Sequence, residues 1–160
     1  TYVQDGEEGL YRRSMYTIWK RTVPNPTIST FDAPTRDLCT SRRQKTNTPL
    51  QALVVLNDPT YIEASRVLGK QMTEAEDVRK GIAQTFKKLT GRNITDQELD
   101  VLAKLQNKEY KKFSTNLDKA KGWLQTGAFK VSETDDKASI AANAVVASTI
   151  MNADATITKR

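Results

Sequence analysis

The chain has 160 residues, a mass of 17.9 kDa, 38% apolar and 28% charged residues, and a formal net charge of +6. That balance is ordinary for a folded domain and argues against wholesale disorder, and no apolar run approaches the roughly 20 residues that a membrane span needs. Histidine is absent and Cys39 is the one cysteine. An internal disulfide, a Ser-His-Asp or Cys-His apparatus, and the usual zinc and haem ligand sets therefore cannot be assembled from this chain alone, so no cofactor is expected.

The positive charge is concentrated. Residues 1–11 carry three acids and no base, and the chain opens TYVQDGEEGL, polar and without a signal-like segment. Thr rather than Met at position 1 is what a piece of a longer protein would show. Residues 12–45 hold eight bases against Asp32 and Asp37, a local charge of +6; the remaining 17 bases and 14 acids nearly balance. Clustered cations raise the question of nucleic acid, with Tyr11, Tyr16, Trp19 and Phe31 available for stacking. The cations come as separated pairs among apolar residues, however, and no helix-turn-helix, zinc-finger or RNA-recognition signature accompanies them. Nucleic acid is not expected as a partner.

In chain order, LYRRSMYTIWKRTV (10–23) mixes aromatic and β-branched residues without a clean period, which fits a short strand or a short helix equally. VPNPTISTFDAPTRD follows, with Pro24, Pro26 and Pro34, and must be extended or turning. Residues 1–47 thus read as a basic, aromatic, proline-rich arm. At Thr48-Pro49-Leu50-Gln51 a capping box with Pro at the first helical position opens a helix that sets Leu50, Leu53, Val54 and Asn57 on one face. Asp58 then caps a second helix with a Tyr61, Ser65, Leu68, Met72 stripe. A third carries Val78, Ile82, Phe86 and Leu89 inward and stops at Gly91. Thr95 and Glu98 form another capping box ahead of Leu99, Leu102, Gln106, Tyr110 and Phe113. After a weaker segment at 116–126, an alanine-rich helix runs from Asp135 to about Asn152. The expected fold is mainly α, an irregular array of about five to six helices spanning 48–152, with an extended proline-rich N-terminal arm and a tail at 153–160.

The stretch RRSMYTIWKRTVPNPTISTFDAPTRDLCTSRRQKTNTPLQALVVLNDPTYIEAS resembles the signature region of a C-terminal domain of unknown function. That domain belongs to large bacterial proteins first noticed in planctomycetes and often carrying cytochrome-c-like domains. The shared pattern is RRS-aromatic, KRT-x-P, FD-A-P and C-x-x-R-R-x-x-T-N-T-P-L-Q-A-L-x-x-L-N-D. The closing MNADATITKR is similar to the family's terminal LN-x-DE-F-I-T-R, with departures at Ala153, Ala155 and Thr156. The resemblance implies an exported protein (periplasm or cell surface), of which this chain would be a later part. The preceding domains of the same polypeptide, a cytochrome-c-like one among them, would be its partners. It brings no established activity and no catalytic residues.

The candidate site lies in CTSRRQKTNTPLQAL. Arg42, Arg43, Thr46, Asn47 and Thr48 stand just ahead of a helix N-terminus, where orphan N–H groups and the dipole favour an anion such as a carboxylate or sulfate. The competing reading makes them an arm-docking site, since arginine can donate to several carbonyls of an irregular loop at once. Trp19, Phe31, Asp32 and Asp37 are the candidate arm contacts, and docking is the favoured reading. Cys39 is expected to be a small buried hydrophobe. The function that follows is a non-catalytic helical interaction module. The alternative is part of an exported enzyme acting on polysaccharide or another polymer, with Asp32, Asp37 or Asp58 as catalytic carboxylates.

Overall fold

The computed structural model describes residue 9 and residues 11–20, 22–42 and 45–157, and among these it contains helices and 3-10 turns but no strand. The chain separates into two compact units, Thr1–Val54 and Val55–Arg160. The division falls inside a helix, α2 (Pro49–Asn57), rather than ahead of it. The first residues of α2 belong with the arm because Gln51 is hydrogen-bonded to it.

In the first unit, residues 11–23 settle the strand-or-helix ambiguity as neither: the regular element among those described is a 3-10 turn at Ser14–Tyr16. The proline-rich segment is not wholly extended. Asn25 and Pro26 open a short helix, α1 (Pro26–Thr30), whose first N–H groups (Thr27 and Ile28) donate to Asn25 Oδ1 at 3.0 and 3.4 Å. Beyond it the chain reverses through Asp32 (φ 58°) and Arg36 (φ 63°). Aspartate tolerates the left-handed region, whereas arginine there carries a cost of about 1–2 kcal/mol. The expected capping box opens α2: Thr48 Oγ1 accepts from Gln51 N–H at 3.3 Å, and Gln51 Oε1 accepts from Thr48 N–H at 3.0 Å. The buried positions of α2 are Gln51 and Val55, one helical turn apart, whereas Leu50 and Leu53 are exposed.

The second unit is built on α3 (Pro59–Thr73), α4 (Val78–Thr90), α5 (Asp96–Thr115), α6 (Lys121–Gln125), α7 (Lys137–Met151) and a last short turn, α8 (Asp154–Ile157). Local chemistry sets their ends as expected. Asp58 Oδ1 accepts from Thr60 N–H at 2.9 Å, Thr95 and Glu98 form the reciprocal box, and Gly91 closes α4 at φ 79°. The alanine-rich α7 packs against α3, α4 and α5, and its Ala141, Ala142, Ala144, Ala147 and Val146 are wholly buried.

The approach of α3 to α7 is so close that a Cβ on Gly69 would stand 2.7 Å from Ala144 N and 2.8 Å from Ile140 O. Any side chain there would drive the two backbones apart, and Asn143 Nδ2 braces the crossing by donating to Thr73 Oγ1 at 2.9 Å. Met72, Ile82, Phe86, Leu102, Ala103, Val146, Ala147 and Ile150 form one core cluster; Phe113 with Ala120, Ala138, Ala141 and Ala142 forms the other. The predicted stripes hold at their centres and fray at their edges, where Val78 and Tyr110 are exposed.

Candidate functional site

The residues that tie the arm to α2 converge on one carboxylate. Asp32 Oδ2 accepts from Thr46 N–H at 2.8 Å, and the Thr46 hydroxyl lies 2.8 and 2.9 Å from the two carboxylate oxygens. That hydroxyl in turn accepts from Gln51 Nε2 at 3.0 Å, and Gln51 Nε2 also donates to the Thr30 carbonyl at 2.9 Å. Gln51 is 1% exposed and every polar atom of its side chain is engaged, so its amide closes the capping box and clasps the arm together. The Thr46 backbone donor, then its hydroxyl, hold the Asp32 carboxyl below the ordinary carboxylate range.

Of the candidate residues, the fold therefore brings together Asp32, Thr46 and Thr48. The anion held by the TNTP turn is the chain's own Asp32. Arg42 is exposed and is not among the residues whose bonds form the clasp; Arg43 lies outside the described residues. Asn47 and Asp37 are exposed, and Phe31 is half-buried. Trp19 is half-buried, with the Arg36 guanidinium 5.3 Å from its ring centroid. Cys39 is exposed, contrary to the expectation of burial, because the loop that carries it turns outward with Leu38, itself 82% exposed.

Two polar centres escape the sequence reading. Gln51 was legible as a capping residue, but nothing local marks its second role. The other centre is in the helical unit. Arg66 on α3 is fully buried, its Nη1 donates to the Trp123 carbonyl at 3.3 Å, its Nη2 donates to the Phe129 carbonyl, and it lies 5.9 Å from the Phe129 ring centroid. One turn earlier Glu63, also buried, accepts from Phe129 N–H at 2.6 Å. Gly127 sits against this pair at φ 87°, where a Cβ would fall 2.3 Å from Glu63 Oε2. Arginine thus does satisfy the carbonyls of an irregular loop in this protein, at Arg66.

Two of the carboxylates in the enzyme reading are engaged in structural bonds. Asp32 is occupied by donors from its own unit and Asp58 is occupied as a cap. Among the described residues no group of three His, Cys, Asp or Glu side chains is placed to hold a metal ion. The helical unit has an apolar groove of about 320 Å³ lined by Phe86, Val101, Leu102, Ile150 and Ala153, with Glu98 at its edge. Glu98 pairs with Arg92 at 2.5 Å, which lowers its carboxyl to about 2, and Arg92 lies over Phe86 at 4.7 Å.

Fold and site together define an all-helical domain whose described polar centres fasten loops to helices. No helix among the described residues is long and apolar enough to cross a membrane. The chain belongs to the PSD1 family of proteins of unknown function (DUF1553), whose family model matches residues 1–106. This family occurs C-terminally in planctomycete cytochrome-c-associated proteins. The match covers the arm, the Asp32–Thr46–Gln51 clasp, α3, α4 and α5 as far as Gln106. No curated protein and no solved structure matches the chain.

Proposed function

We propose that this chain is a non-catalytic helical interaction module in the C-terminal part of a larger exported bacterial protein. Its arm unit packs against the preceding domains of the same polypeptide, a cytochrome-c-like domain among them. The observation that carries this reading is the clustering of exposed apolar side chains within eight residues: Tyr11 (64% exposed), Met15 (68%), Tyr16 (67%) and Ile18 (75%). Scattered surface apolar residues need no explanation, but a cluster of this density is the signature of a covered face.

Hydrogen exchange tests the proposal. The amides of residues 11–20 are expected to exchange at least tenfold more slowly in the full polypeptide than in this 160-residue chain. Equal rates in the two would refute it.

A further inference from the structure

We infer that the face covering the arm is an acidic protein surface that also carries apolar side chains; this rests on the module reading above. The apolar cluster Tyr11, Met15, Tyr16 and Ile18 is interleaved with exposed Arg12 and Arg13, and Arg36, Arg42 and Lys45 are exposed in the same unit. Residues 12–45 contain only two acids, and one of them, Asp32, already spends its oxygens on Thr46 and Gln51. Residues 11–20 thus combine four exposed apolar side chains with exposed Arg12, Arg13 and Lys20 and contain no acid. The complement of such a segment carries both apolar side chains and carboxylates: the apolar contacts supply affinity, and the charges supply register and rate of encounter.

A lipid surface fits the cations but not the backbone. Main-chain bonds of turns occur along 11–23: Tyr16 N–H to Arg13 O at 2.9 Å, Thr17 N–H to Ser14 O at 3.1 Å and Val23 N–H to Lys20 O at 3.2 Å. Interfacial binding is typically made by an amphipathic helix, and the regular element among the described residues of 11–23 is a three-residue 3-10 turn. Nucleic acid would call for a continuous track of cations along a backbone, and here they stand in separated positions between exposed aliphatic side chains.

The test is photo-cross-linking in the full polypeptide, with a benzoylphenylalanine replacing Tyr16 and the linked peptides mapped by mass. The expected product joins position 16 to a net-negative segment of another domain of the same polypeptide. Its yield is expected to fall about tenfold in the Arg12→Glu, Arg13→Glu double variant and to recover when acids of that segment are changed to lysine. A cross-link to a neutral or basic segment, unmoved by the charge reversal, overturns the acidic partner and leaves the module standing. Absence of any cross-link within the polypeptide overturns both. In that event, binding of this chain to phosphatidylglycerol vesicles or to a thymidine oligonucleotide identifies which rejected surface it takes.

Discussion

The arm unit and the helical unit each tie an irregular segment to a helix, and they do so with opposite charges. In the arm, the carboxylate of Asp32 on the loop accepts from Thr46, and the buried Gln51 amide of α2 completes the clasp. In the helical unit, the buried guanidinium of Arg66 on α3 donates to the Trp123 and Phe129 carbonyls, while Glu63 takes the Phe129 N–H. What the segment presents decides the sign of the group that holds it: N–H and hydroxyl donors call for a carboxylate, carbonyls for an arginine. Depth decides how much each is worth. Asp32 is only half-buried and keeps part of its hydration, whereas Arg66 is 0% exposed, and losing a partner there strands buried polar groups.

The comparison breaks most visibly at Arg66. Arg66→Met is expected to lower stability by about 2–5 kcal/mol, because the Trp123 and Phe129 carbonyls both lose their buried donor. A thermal midpoint equal to that of the parent would remove Arg66 from this role. Gly69→Ala comes next, at about 1–3 kcal/mol, since the atoms a methyl would meet are the backbone of α7 and cannot swing aside. Denaturant unfolding followed by circular dichroism reads that loss.

In the arm, Asp32→Ala is expected to cost about 1–2 kcal/mol by leaving the Thr46 donors unsatisfied. The effect should appear as faster exchange of the Thr46 amide, with the α7 amides unchanged; a uniform loss across both units would contradict a local clasp. Acid should reproduce it. The folded Asp32 carboxyl titrates below the ordinary 3.8, so its contribution is complete above that value and is lost as pH falls through the lower folded one. An amide titration in which Thr46 shifts above pH 5 would contradict this sign. The smallest effect sharpens the contrast: Arg42→Ala should change stability by less than about 0.5 kcal/mol, since the side chain is exposed and outside the clasp. A larger loss would restore Arg42 as the staple.

Helix starts and stops were legible along the chain because they are made by neighbours. Asp58 reaches Thr60, Thr95 exchanges bonds with Glu98, and Gly91 supplies the left-handed residue that ends α4. The Asn25-Pro26 start of α1 was just as local, but the surrounding prolines pointed to an extended chain and outweighed it. The charge asymmetry and the motif that places the chain in its family were likewise written in the residues themselves.

Tertiary structure decided which arginine fastens a loop. Nothing beside Arg66 on α3 marks it for that role, and it is segments 57 and 63 residues further on that close over it. It decided that Leu50 and Leu53 face out while polar Gln51 is buried, because Thr30 and Thr46 supply the partners that make burying an amide affordable. And it decided that Asp32, 14 residues from Thr46, is the anion at the turn where a ligand was a candidate. Caps close within one helical turn and so can be read from adjacent residues. Burial and pairing depend on what arrives from far along the chain, and local pattern carries no record of it.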